Sequence, residues 1–199
     1  MRTARLQMLG RPRGGAARMV VAGAVVAVAA FVQLGSAGAQ LAGTGGGVVK
    51  VAAPSSVLED AYESETEIRA FDEGQGVTLA APLAVDITVP GDYAAVDDLT
   101  PGTIPAGTRV NSHLLHADPV GSPDPLEPVL VAGAVTFDTK ILGVIILNTI
   151  ADPNLNNSDG LGAAATDYPD DLGVRGLEFS AGAGGDFVSL DDDQTLSVD

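Results

Sequence analysis

Apolar and polar residues alternate in short bursts along most of the chain, and turn residues separate the bursts. The clearest burst is Leu83 to Val89. Leu83, Val85, Ile87 and Val89 are apolar, and Ala84, Asp86 and Thr88 lie between them. Period two predicts a strand with one buried face. Pro90-Gly91-Asp92 ends it. Earlier strands are predicted at Thr66 to Phe71 and Val77 to Leu79, separated by Asp72-Glu73-Gly74-Gln75-Gly76. Thr108 to His116 is extended, with Val110, Ser112, Leu114 and His116 on one face. Val129 to Phe137 and Ile141 to Leu147 flank the turn Asp138-Thr139-Lys140. Leu142 to Leu147 is nearly continuous in apolar residues, which predicts a strand buried on both faces. Val174 to Ser180, Phe187 to Leu190 and Thr195 to Val198 complete the set. Residues 97–107 and the proline-rich 118–128 read as loops, and only 57–67 allows a turn or two of helix.

This is an all-β pattern, and strands of this kind must close into packed sheets or a barrel. Uneven loop lengths favour an antiparallel β-sandwich, jelly-roll-like, over a regular barrel. Aromatics are 4% of the chain, so Val, Leu and Ile must fill the interior. A domain of about 140 residues hides about two-thirds of the surface of its unfolded chain, enough for a core without disulfides. Cysteine is absent, which removes a thiol nucleophile and a thiolate metal site as well. Thr195 to Val198 resembles the start or middle of a strand, with Asp199 directly after it. The expectation is a truncated C-terminal strand.

The N-terminus follows another pattern. Arg2, Arg5, Arg11, Arg13 and Arg18 occur with no acidic residue among them, and the apolar run Met19 to Val32 follows. Gly35-Ser36-Ala37-Gly38-Ala39-Gln40 then supplies small residues at alternate positions. A basic segment, an apolar segment and a small-x-small site make a secretory signal peptide, with the cut expected after Ala39. The apolar run is about 14–16 residues, short of the roughly 20 that span a bilayer. No membrane span is expected in the mature chain. No adjacent arginine pair marks a twin-arginine signal. The predicted organisation is a signal peptide over 1–39, a flexible linker over 40–56 and a β-sandwich domain over 57–199. The linker reading rests on the Gly-, Ala- and Thr-rich Gln40 to Gly47 and on Pro54-Ser55-Ser56, with Val48 to Ala53 either a short strand or an extension of that linker.

Charge sharpens this division. The whole chain carries a formal net charge of -16. The leader takes five of the ten basic residues and none of the 26 acids, which leaves the mature chain at -21. A surface this acidic repels a phosphate backbone and argues against nucleic-acid binding.

Candidate chemistry is sparse. Nucleophilic hydrolysis needs an activated serine, a histidine base and an orienting acid. His113 and His116 are the two histidines, and no Gly-x-Ser-x-Gly elbow occurs in the mature chain. Three apart in a strand, they point to opposite faces, with one expected at the surface and one packed or hydrogen-bonded. They also lack the four-residue helical spacing and intervening Glu of a zinc protease, which leaves a His116/Asp118 cluster as the metal alternative. Calcium takes six to eight oxygens. Asp152, Asn154, Asn156 and Asp159 place oxygens at positions 1, 3, 5 and 8 of one loop. An EF-hand needs Gly at position 6 and Glu at position 12, where this chain has Asn157 and Ala163. The loop is therefore either a non-EF calcium site or a solvated turn rich in Asn and Asp. Asp191-Asp192-Asp193 reads as a hairpin tip, and Asn156-Asn157-Ser158 fits the N-glycosylation pattern. No catalytic residue is assigned.

Several separated stretches resemble a family of uncharacterised secreted bacterial proteins. They are Glu65 to Glu73, Leu83 to Ile87, Leu99 to His116, Thr136 to Asp138 with Ile141 to Ile145, Tyr168-Pro169 and Arg175 to Glu178. Members of that family often carry a PEP-CTERM sorting tail, recognised by an exosortase; this sequence shows no such tail. The resemblance implies a secreted or cell-surface protein and supplies no catalytic residue. The expected role is non-enzymatic, structural or binding, with an extracellular glycan or surface protein as partner. The alternative is a secreted polysaccharide-acting hydrolase or lyase with paired carboxylates in a groove. Three tyrosines and no tryptophan offer little for stacking on sugars, which favours the structural role.

Overall fold

A computed structural model describes residues 25–29, 39–58, 60–120, 131–147, 149, 151–170, 176–177 and 186–199. The fold is all-β. Two five-stranded sheets dominate, and neither closes into a barrel. The first sheet contains β1 (Val25–Ala29), β3 (Val48–Lys50), β4 (Ile68–Asp72), β10 (His113–His116) and β12 (Gly143–Ile145). Its order is β12-β1-β10-β4-β3. The second contains β2 (Leu41–Gly46), β7 (Gly91–Tyr93), β11 (Gly133–Phe137), β13 (Val188–Leu190) and β14 (Thr195–Val198), in the order β2-β11-β14-β13-β7. Two small pairs, β5 (Val77–Thr78) with β9 (Arg109–Val110) and β6 (Leu83–Val85) with β8 (Gly102–Ile104), complete the strands. Pairing is antiparallel throughout except between β3 and β4.

The alternation of side chains along β10 and β12 divides the interior in two. Leu115 and Val144 enter an apolar cluster with Ala70 of β4 and with Val135, Val188 and Leu196 of the second sheet. Leu114 and Ile145 point the other way, into a cluster with Phe71, Val85, Ile104 and Val110. The first sheet is thus apolar on both faces, as the continuous run Leu142 to Leu147 predicts. Phe71, Phe137, His113 and His116 are fully buried, and mostly aliphatic side chains fill the remainder.

Several segments depart from the sequence expectation. Leu41–Gly46 is a strand where composition suggests a linker, and Val48–Lys50, which reads as a short strand or an extension of that linker, is a strand too. The small residues of Leu41–Gly46 carry no alternation to read, but they fit a close approach by β11. Gly46 adopts φ +62, and a Cβ on Gly133 would lie 2.6 Å from the Gly45 carbonyl oxygen and 2.9 Å from the Val48 nitrogen. The described residues of 57–67 form no helix. Ser64 Oγ accepts from the Thr66 and Glu67 amides instead, at 3.3 and 3.1 Å, a serine turn that competes with helix. β7 and β8 lie in stretches whose Pro and Gly content reads as turn and loop, because pairing with β13 and β6 overrides local signals. In Leu83 to Val89 the alternation fails at its end: Asp86 is buried and Val89 is 51% exposed. Most of the strand predicted over 174–180 lies outside the described residues. Among them, α-helix is limited to α1 (Asn154–Asn157). β14 sits between β11 and β13, inside its sheet.

Gly133→Ala should therefore be costly although alanine suits a strand better. The added methyl meets main-chain atoms that have no rotamer to move. We expect a stability loss of about 1–3 kcal/mol in urea unfolding, the range for overpacking. A loss below about 0.5 kcal/mol would mean that β2 and β11 do not approach this closely.

Candidate functional site

Asn111-Ser112-His113 leads into β10 and interrupts the apolar alternation with three polar residues. All three are buried. Antiparallel register sets His113 opposite Asp72 of β4, which brings His113 Nδ1 within 2.8 Å of Asp72 Oδ1. His113 Nε2 donates to the Ala39 carbonyl at 3.1 Å. The Asn111 amide donates to the same carbonyl at 2.8 Å, and its oxygen accepts from the Gly76 amide at 2.6 Å. Ser112 Oγ donates to Glu73 Oε2 at 2.6 Å. Tyr168 donates to the other oxygen of Glu73 at 2.8 Å and accepts from the Ala163 amide at 3.0 Å. Lys50 Nζ lies 3.4 Å from Asp72 Oδ2. One polar network thus joins β3, β4, β10, residue 39 and two loops.

Both partners of the His113 ring are hydrogen-bond acceptors, so each favours a proton on the nitrogen it faces. Burial pulls the His113 pKa down from its ordinary value, and the Asp72 carboxylate opposes that shift. The ring also packs on Phe137, with centroids 5.0 Å apart. An Asp-His pair is two-thirds of a hydrolytic triad, but here the far nitrogen faces a main-chain carbonyl. The Ser112 hydroxyl is turned onto Glu73. The arrangement clamps loops and aligns no nucleophile with its base.

His116 faces the opposite side of the sheet, as its spacing predicts. The expectation of one surface histidine is corrected: both are buried, because β10 is the middle of a sheet apolar on both faces. His116 stacks on Tyr62 with ring centroids 5.8 Å apart, and the Arg69 guanidinium lies over the Tyr62 ring, 4.0 Å from its centroid. Arg69 also donates to the Tyr62 carbonyl at 2.9 Å. Among the described residues neither ring nitrogen of His116 makes a hydrogen bond of ordinary geometry, although the Tyr62 main chain lies near enough to favour the protonated ring. Burial lowers its pKa to about 4; the Tyr62 main chain opposes the shift and the Arg69 charge adds to it.

A second clamp centres on Asp86. Its Oδ2 accepts from the amides of Ile146 and Leu147 at 2.7 and 2.8 Å, and its Oδ1 accepts from the Asn154 side-chain amide at 2.6 Å. Burial raises the Asp86 pKa, and these three donors oppose the rise.

The calcium candidates fall around α1. Asn154 is turned inward onto Asp86, and Asn156 donates to the Asp170 carbonyl at 3.2 Å. The Asp152 amide bonds to the Thr149 hydroxyl at 3.1 Å, and Asp159 opens a short 3-10 turn. The four are near in sequence, but Asn154 and Asn156 are engaged by different partners. Among the described residues no group of three or more His, Asp or Glu side chains could hold a metal ion. The Asp60 amide bonds to Asp118 Oδ2 at 3.1 Å. Asp191 to Asp193 form the tip between β13 and β14, where Asp192 accepts from the Gln194 and Thr195 amides, both at 2.7 Å. The buried Asp86 and Asn111 and the half-buried Glu73 and Tyr168 escaped the sequence reading. The one signal for them was the polar run 111–113 inside a strand.

Comparison with protein-family models, with curated proteins and with solved structures gives no match. Among the described residues no helix is long and apolar enough to cross a membrane.

The His116 shift has a defined acid signature. The unfolded chain holds a histidine of ordinary pKa near 6.5, and the folded one holds His116 near 4. The unfolded state therefore binds the proton first, and stability is lost as pH falls from about 6.5 towards 4. The full effect is roughly 3 kcal/mol. His116→Phe should flatten the curve of unfolding free energy against pH in that window. An identical curve in the variant would show that His116 is not buried as a neutral ring.

Proposed function

We propose that the chain is a secreted, non-enzymatic β-sandwich of jelly-roll type with a structural or binding role at the cell surface or in the extracellular matrix. Its leader is removed on export. The sandwich reading is supported by the apolar cluster that both five-stranded sheets share. The observation that carries the functional reading is the convergence of the stretches resembling PEP-CTERM-associated proteins. Asp72, Glu73, Asn111, Ser112, His113 and Tyr168 come from three of those stretches and meet in one network. Their polar groups hold loops in place. A signature spent on architecture fits a scaffold better than an enzyme. The charge of -21 on the mature chain keeps such a scaffold soluble and away from anionic surfaces. An extracellular glycan or a surface protein is the partner this reading implies.

Full-length chain with a C-terminal tag, produced in a secretion-competent bacterium, tests the reading. Fractionation and mass spectrometry of the N-terminus should find the protein outside the cytoplasm, beginning at Gln40. Protein that retains Met1 and stays in the cytoplasm would overturn it.

A further inference from the structure

The most consequential pairing in the first sheet involves β1, because Val25–Ala29 belongs to the segment that export would remove. β1 lies between β10 and β12, antiparallel to both. Val25 to Val28 pair with His116 to His113, and Ala27 to Ala29 pair with Ile145 to Gly143. Loss of β1 would leave two sheet edges facing each other. Neighbouring strands are about 4.8 Å apart, so those edges would be roughly 10 Å apart. That is too far for direct hydrogen bonds and is the width of one strand.

Both walls of this slot are pinned without β1. β10 pairs with β4 on its other side, and His113 is tied to Asp72. The main chain of Val144 in β12 bonds to Asp86 and Ile87, and the following Ile146 and Leu147 amides are held by Asp86. Direct closure would have to break one of these clamps. A cut after Ala39 would also remove the carbonyl that Asn111 and His113 hold. Two buried donors would then lack a partner at the end of the slot where Val28 pairs with His113. Such edges and donors are costly to leave unpaired.

We propose that the slot between β10 and β12 is a strand-acceptor site. In the processed protein it takes an uncharged aliphatic strand from a partner polypeptide in place of Val25–Ala29. The chemistry of the occupant follows from the walls. Leu114 and Ile145 face one apolar cluster, and Leu115 and Val144 face the other. Alternate side chains of an inserted strand would meet both, so neither face tolerates a charge. Main-chain bonds to two edges would supply affinity, as in other strand-addition complexes. This proposal rests on the leader removal proposed above and names the kind of partner that such a surface protein would bind.

The test uses the full chain with a protease site placed within residues 31–38, cut after purification. A fluorescent peptide with the sequence of residues 22–32 and a solubilising lysine tail is then offered. The cut protein should retain its leader fragment in native gel filtration and exchange it for excess peptide. Stripping the fragment should lower the melting midpoint, and the peptide should restore it. An Ala27→Asp version of the peptide should bind at least tenfold more weakly. If the stripped chain unfolds, refolding on addition of the peptide supports the proposal, and failure to refold overturns it. An unchanged midpoint with no peptide uptake overturns it too, as does equal uptake of the two peptides. Cytoplasmic chain bearing Met1 would defeat the leader reading alone, because cut-and-exchange reads the slot independently of export.

Discussion

The Asp86 carboxylate holds three donors at a position where water cannot reach it. A buried carboxylate is tolerated only when its hydrogen bonds are made. Here they are made by two consecutive amides at the end of β12 and by the side chain of Asn154 at the start of α1. The bonds fix where β12 stops and where the next loop turns. They also couple residues about sixty positions apart in a domain that has no disulfide. The outer edge of the first sheet depends on that fixed end, since β12 is the outer wall of the β1 position.

The run 111–113 works on the same principle from the other wall. Asn111 and His113 share the Ala39 carbonyl, Asn111 also holds the Gly76 amide, and Ser112 and His113 reach the adjacent Glu73 and Asp72. With few aromatics to enclose volume, the domain relies on aliphatic packing for cohesion and on buried polar clamps for the paths of its loops. The same clamps explain why an Asp-His pair and a nearby serine do not make a hydrolytic site.

Much of the strand pattern was legible because period two survives wherever one face meets a core. Gly133–Phe137 and Thr195–Val198 follow it closely, while Ile68–Asp72 buries both Ala70 and Phe71 because each of its faces meets a core. Leu41–Gly46 was hidden because glycine and alanine have no side-chain alternation to show, although β11 selects small residues there. Gly91–Tyr93 and Gly102–Ile104 were hidden by Pro and Gly, whose local preference yields to long-range pairing. Asp86 was misplaced for a related reason. Alternation gave it to solvent, and only the approach of residues 146, 147 and 154 makes burial favourable. The histidines were read correctly as facing opposite ways and incorrectly as differing in burial, since a strand's spacing says nothing about whether its second face is covered. The informative carboxylates are the buried Asp86 and the half-buried Asp72 and Glu73.

Carboxylate clamps, with the buried Asp86 foremost, define this fold. Amide hydrogen exchange at Ile146 and Leu147, read together with urea unfolding of the native protein and Asp86→Ala, is the decisive measurement. Both amides should exchange slowly in the native protein. In the variant they should lose protection, with a stability loss of about 3 kcal/mol or more. Unchanged exchange and an unchanged unfolding midpoint in Asp86→Ala would contradict it.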